Sequence, residues 1–569
     1  MQQIKQFFVV AFFLLLSTIA WAQMPVAMPS NGDSTRIVHI LNTRHYTIQK
    51  INDSTTLQIL AGGVKLKQGT TLFQCDSCVI NDNENIFEAW GRVYINDADT
   101  ATITAGHLRY FTQKKIAYLD RGVKLSDGKG SLSTPDLEYN VTTDIGIYKN
   151  GGTVVNKKTV LTSKEGYYYA GLREVIFKKK VDLKDPAYSI KTDSLIYNTE
   201  TQTTRFIAPT IIKDSSGLMI ETKEGFYNVA TGKAEFGQRA TIIEKNGGSI
   251  VADNMSRDEK SKMFNASGNV IIKDTANGIT ITSDKFARND SSKITQAQGN
   301  VVIRNVKDGT TIIAGNVFRD EEKERTLATL HPLMIVKQDA DSIYITADTL
   351  FTARLTDLHG IKDTIVKQKV KGTKVVSSTT KDSSNRYFEA YRNVRVFNDS
   401  MQAICDSMFY SFKDSTFKLF QKPVLWSQLS QIMGDTVLIY TKNKKADRAK
   451  VFENSFLINE AEPGVYNQVK SSRMDAYFTQ GSIDSVRAAG FAECIYFIQN
   501  EDSSYTGINE SKCDIMDIYF GKEELHKIVF RSQVAGTIWP IRQKNPNEMR
   551  LDNFLWLEKK RPKTKYELY

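Results

Sequence analysis

A phrase of about thirty residues recurs along this chain, and that repetition limits its fold more than any other feature. One copy opens at Gly268-Asn269-Val270-Ile271-Ile272-Lys273-Asp274. It crosses a polar Asn277-Gly278 turn into Ile279-Thr280-Ile281-Thr282-Ser283-Asp284-Lys285-Phe286, which alternates apolar and polar residues. Gly299-Asn300-Val301-Val302-Ile303 begins the phrase again. Aligned anchors fall at Val64, Val93, Val123, Val154, Val181, Thr210, Thr241, Val270, Val301 and Leu333, 27 to 32 residues apart. Looser copies continue at Val394, Val424 and Phe456. One such unit cannot cover both of its apolar faces, so the units must stack, and the terminal ones need caps.

The class is all-β. Period-two alternation, Thr/Val/Ile/Tyr enrichment and Asn-Gly, Asp-Gly and Gly-Gly punctuation dominate, while helical periodicity is scarce. The pattern predicts two or three strands of five to seven residues per unit, a turn at the glycine that opens each phrase, and one helical turn at Arg319–Arg325. Of the 569 residues, 41% are hydrophobic, enough for a sizeable core, and 24% are charged with both signs interspersed. A net charge of +11 suits an anionic partner, but it is spread over the chain without a Lys/Arg block.

The ends carry address information. Lys5, the apolar run Phe7–Leu16 and Ala20-Trp21-Ala22 read as a cleaved secretory signal peptide, 1–22, with no cysteine beside the cleavage point to take a lipid. A polar linker follows at 23–34, then repeats at 35–356 and a Lys/Thr/Asp/Ser-rich loop or joint at 357–385. A more divergent β region spans 386–500, and 501–569, with Trp539, Trp556 and Lys559-Lys560-Arg561, reads as a cap or docking tail. No later apolar run reaches about 18 residues, so no transmembrane helix is expected.

Chemistry-bearing constellations are missing. The six histidines are scattered, and no nucleophile elbow, Walker loop or dinucleotide fingerprint occurs. Neither a metal, a cofactor nor an enzymatic activity is expected. The aromatics read as strand packing, not as a nucleic-acid platform. Cys75 and Cys78, three apart on one strand, are expected to face opposite ways, so a bridge between them would need a turn or strain. An aspartate recurs before an apolar residue, as at Asp76, Asp193, Asp253, Asp348 and Asp406, with Gly106 and Pro135 in its place in two units. Spread down the array, these carboxylates suit turns or ladders better than acid–base catalysis.

The two-part unit resembles the OstA family, the periplasmic lipopolysaccharide-transport proteins of the LptA type and the N-terminal domain of LptD. The resemblance rests on Ala297-Gln298-Gly299-Asn300-Val301-Val302-Ile303 with Ile281-Thr282-Ser283-Asp284-Lys285-Phe286. A further copy pairs Ala266-Ser267-Gly268-Asn269-Val270-Ile271-Ile272 with Ile345-Thr346-Ala347-Asp348-Thr349-Leu350. It covers roughly residues 55–355 and, more loosely, 386–500. It implies an extended β-jellyroll, open along one side, whose interior holds the acyl chains of lipid A. On that reading Val270, Ile272, Ile279, Ile281, Phe286, Val301 and Ile303 line the trough; the alternative is that they close a dry core. The implied protein is a carrier or bridge in the periplasm or at the outer membrane. It would bind lipopolysaccharide, join other lipopolysaccharide-transport proteins by β-augmentation, and associate end to end with itself. The chain is several times longer than one LptA-type domain and lacks the barrel-forming part of a complete LptD-type protein. An outer-membrane barrel and a secreted adhesive or lyase-type solenoid are the rival readings; short strands count against the barrel, which needs about 9–11 residues per strand.

Overall fold

The computed structural model describes residues 38–52, 55–68, 70–97, 101–126, 130–186, 188–228, 230–307, 309–337, 342–359, 385–442, 445–479, 482–500, 504–521 and 524–568. The expected signal peptide and linker lie outside the described residues, as does the joint apart from Asp357–His359 and Asn385. Among the described residues the structure is almost entirely strand, and every pairing described is antiparallel. The one α-helix there is the single turn Leu355–His359. Two compact units divide the chain, Met1–Ile272 and Lys273–Tyr569.

Strands are longer than the alternation suggested. Ile279–Asn289, Ile294–Asn305 and Thr310–Asp320 have 11, 12 and 11 residues, and Lys445–Glu462 reaches 18. Strand length therefore does not speak against a membrane barrel. The expected helical turn at Arg319–Arg325 is absent: residues 321–324 make a tight hairpin turn, with Glu324 at φ 51°, between Thr310–Asp320 and Arg325–Thr329.

The glycine expected at a turn sits in mid-strand instead. In Ile294–Asn305, Gln298 pairs with Asn316 and Val301 with Ala314, so Gly299 and Asn300 together oppose the single residue Gly315. Both bulge residues are left-handed, at φ 72° and 46°. Such an inserted pair bends the strand without ending its ladder. Similar left-handed pairs recur at Gly62-Gly63, Gly91-Arg92, Lys179-Lys180, Gly268-Asn269, Arg392-Asn393 and Glu453-Asn454. Each long strand thus turns a corner and contributes one half to each of two half-sheets, and a thirty-residue unit is two such strands. The bulge also resets anchors, among them Thr241, Leu333, Val424 and Phe456. The first residue after Gln238-Arg239 is the buried Ala240, not Thr241, and the first after Leu330-His331 is Pro332, not Leu333.

The unbulged strand turns the same corner at its aspartate. Cys75 and Cys78 flank Asp76-Ser77, and both are buried, Cys75 beside Val64 and Cys78 beside Leu60 and Ala89. They do not face opposite ways: the bend inverts the alternation, and inward positions lie three apart. Ala314 and Val317 repeat this spacing in the second unit. All five cysteines are free thiols. A hydrogen bond to Cys78 and then burial push Cys75 well above the ordinary thiol range, and burial pushes Cys405 and Cys494 up to about 12. The same hydrogen bond lowers Cys78, while burial leaves Cys405 and Cys494 protonated at neutral pH.

The corner explains the sequence motif. Asp284 lies across Gly299, where an added Cβ would stand 2.3 Å from its carboxylate oxygen. That carboxylate accepts a 2.9 Å bond from the Asn300 side-chain amide. Asp253 repeats this over Gly268 with Asn269 at 2.8 Å, and Asp76 over Gly91 with Arg92 Nε at 2.9 Å. Asp348 takes Asn393 and Asp435 takes Asn454. Pro135 does not remove the clamp, since Asp136 accepts from Asn150 at 2.8 Å; Gly106 does, and there the space is used by the Arg121 side chain.

Candidate functional site

Strand register, read one rung at a time, assembles the interior. In the first unit Leu66 pairs with Phe73, Phe73 with Ile95, Ile95 with Ile103, Ile103 with Leu125 and Leu125 with Leu132. The row continues through Val154, Leu161, Leu183, Ile190, Ile212, Ile220, Ile242 and Ile250 without a polar member. We call this row the first rail. In the second unit it runs Ile281, Ile303, Ile312, Met334, Ile345, Val396, Ala403, Leu425, Ile432, Leu457, Val469 and Cys494, and only then reaches Ser511. Antiparallel neighbours place these side chains about 5 Å apart, so each rail is a continuous hydrocarbon strip.

A second rail lies on the other half-sheet. In the second unit Phe286, Ala297, Val317, Ala328, Leu350 and Ala390 pair in succession, and all are buried. In the first unit it includes Tyr148, Gly166, Phe177, Leu195, Phe206, Gly225 and Phe236. Gly166 leaves room for Tyr148, whose ring atoms stand 2.3 Å from where a Cβ would sit, and whose hydroxyl shares a 2.6 Å hydrogen bond with Ser163.

The seven sequence-predicted wall residues separate by position. Val270 and Ile272 belong to the first unit, Val270 buried at its corner and Ile272 half-buried. In the second unit Ile281 and Ile303 are directly paired in the first rail, and Ile279 lies one rung outward, opposite Asn305. All three are half-buried. Val301 and Phe286 are buried, the first at the corner and the second in the second rail. Sequence reasoning missed Ile312 and Met334, which extend the same half-exposed row. Thr310-Thr311-Ile312-Ile313 does not alternate, and only its pairing with Val302-Ile303-Arg304-Asn305 and Leu333-Met334-Ile335-Val336 singles out Ile312 and Met334.

Among the described residues no cluster of three or more His, Cys, Asp or Glu could hold a metal. His107 lies between Glu88 at 2.9 Å and Asp120 at 3.0 Å and stacks on Trp90. No helix among the described residues is long and apolar enough to cross a membrane.

The geometry defines a repeat-built antiparallel stack with paired apolar rails and clamped corners. Comparison with known proteins finds a likeness over one stretch: residues 35–193 match the family model described as OstA-like protein, and the OstA-like resemblance stands there. No curated protein matches the chain. A solved structure, LptH of Pseudomonas aeruginosa, is described as the LptA-homologous periplasmic component of the conserved lipopolysaccharide transport device. It matches at 12% identity over 24% of this chain and 79% of its own, with a TM-score of 0.13, too low to bear on the fold.

Proposed function

We propose that this chain is a non-enzymatic periplasmic carrier or bridge that holds the acyl chains of lipopolysaccharide on its rails during transport to the outer membrane. The observation that carries this reading is the half-exposed hydrocarbon row Ile281, Ile303, Ile312 and Met334, with Ile279 beside it. A dry core would bury such a row, whereas an acyl chain laid on it gains roughly 0.8 kcal/mol per methylene removed from water. The OstA-like match supports the lipid class; Val301 and Phe286 join this candidate wall in the second unit, and Val270 and Ile272 are candidates within the first. Periplasmic export rests on the leader-like sequence at 1–22.

Partners of the same construction can add at the N-terminal edge. His39–Asn42 and His45–Asn52 are exposed throughout and, among the described residues, pair only with Thr55–Gln68. Ile48 is 62% exposed there, which suits β-augmentation by another transport protein or a second copy. A photocrosslinking amino acid at Ile281, with Lys273 as the exposed control, tests the lipid reading. Purified lipopolysaccharide should label Ile281 and leave Lys273 blank. Absence of any adduct in a folded protein would return the rails to the role of a closed core.

A further inference from the structure

We infer that the far part of the second unit, residues 402–540, is a closed end that takes no acyl chain. Lipid on the Ile281–Met334 row would then enter and leave through that row's own open side, without sliding on to the C-terminal repeats. This rests on the lipid reading above and restricts where it applies.

The rail changes character within the unit. Ile281, Ile303, Ile312, Met334 and Val396 are half-exposed, whereas Ile345 and, from residue 402 on, Ala403, Leu425, Ile432 and Leu457 are buried. Beside the buried stretch, one rung outward on the same face, runs a polar row. Ser427 pairs with Ser430, Ser430 with Asn459 and Asn459 with Asn467, and they are 2%, 3%, 3% and 6% exposed. Asn459 donates to Ser430 Oγ at 3.1 Å, Asn467 donates to Asn459 at 3.4 Å, and the Phe497 backbone N–H donates to Asn467 at 3.0 Å. A methylene chain forced into this row would break these bonds and leave buried amides unmet, the most costly state for a polar group.

A hydrogen bond also bridges the two half-sheets at their outer edges. Gln428, in the hairpin turn at the outer edge of one half-sheet, donates a 2.8 Å bond to Ser482 at the outer edge of the other. The opposite face of the same half-sheet is covered by the chain's own C-terminal segment. Gln431 and Gln468, both 0% exposed, each grip that segment's extended backbone twice. Gln431 donates to Leu555 O at 2.7 Å and accepts from Leu557 N at 2.8 Å. Gln468 donates to Met549 O and accepts from Leu551 N, both at 2.9 Å. Phe554 and Trp556 then pack on Tyr466 with ring centroids 5.3 and 5.2 Å away. Neither face of these strands is left for a ligand.

The test places a diazirine side chain of leucine's size at Ile303 and, separately, at Leu457 in the full chain, and irradiates with purified lipopolysaccharide. Labelling at Leu457 should be more than about tenfold weaker than at Ile303, the ratio that about 1.4 kcal/mol produces. Comparable labelling at both sites would overturn the closed end while leaving the carrier reading intact. No labelling at either would remove the carrier reading itself. If the Leu457 variant does not fold, hydrogen exchange on the unmodified protein decides. Lipopolysaccharide should slow exchange in Ile279–Met334 and leave Val424–Val469 unchanged; slowing in the latter would overturn the proposal.

Discussion

At the scale of single residues the recurring unit is a clamp, in which an aspartate leans over the glycine of the next strand and holds the asparagine beyond it. Asn300 is left-handed at φ 46°, a conformation that a β-branched residue resists. Asn300→Val should raise local opening of Ile294–Asn305 by roughly 1–2 kcal/mol in hydrogen exchange, while Asn300→Gly should cost much less. The clamp also has a pH signature. Asn269, then Arg239, hold the Asp253 carboxyl below its usual range. Because the folded value is the depressed one, the stabilisation is full above the ordinary Asp value, about 3.9, and is lost as pH falls through the folded value. Exchange in Met263–Asp274 should therefore accelerate in acid below about pH 4, and Asp253→Asn should reduce that acceleration near Gly268-Asn269, leaving the part due to Asp258 and Asp274, which are lowered too.

At the scale of strands, the sequence was legible in its period and opaque in its corners. Alternation in Ile279–Phe286 reveals a strand with one apolar face, and the phrase spacing reveals the stack. The left-handed pair Gly299-Asn300 looks locally like a turn, since a two-residue bulge and a two-residue hairpin use the same glycine and asparagine chemistry. Only the pairing of Gln298 with Asn316 and of Val301 with Ala314 shows that the strand continues. Cys75 and Cys78 were misjudged for the same reason, because period two fails where a strand bends. Of the candidate wall, Ile281 and Ile303 could be found by alternation, while Met334 could not, since its anchor is shifted by the Leu330-His331 pair. Some glycines inside strands have a tertiary cause as well. At Gly225, with φ 150°, an added Cβ would lie 2.2 Å from the Glu235 carbonyl oxygen. Gly225→Ala should destabilise the Glu224–Asn228 and Lys233–Gly237 pair by about 1–3 kcal/mol, read as faster exchange confined to those strands.

At the scale of the whole chain, the C-terminal segment has no strand of its own after Ala535–Pro540, yet it is ordered by side-chain amides and aromatic rings. Gln468→Ala removes both of its bonds to the segment and strands the Leu551 N–H. It should weaken docking by about 1–3 kcal/mol and expose residues 549–568 to limited proteolysis, with the rest of the stack still protected. Trp556→Ala should act in the same direction through lost contact with Tyr466.

The corner clamp has a consequence for how such a chain changes in length over generations. Each aspartate and its asparagine sit on adjacent strands, sixteen residues apart at Asp284 and Asn300 and again at Asp253 and Asn269. A cut in the turn that follows a bulged strand, as at 275–278, therefore leaves the clamps on either side whole, whereas one at 290–293 would part Asp284 from Asn300. Copying a thirty-residue stretch between two such cuts inserts one new clamp and two new rungs in each rail, already in register with their neighbours. Removing one does the reverse. Length can thus drift by duplication and loss in steps of two strands, whereas a change of one strand would set bulge against bulge and aspartate against aspartate.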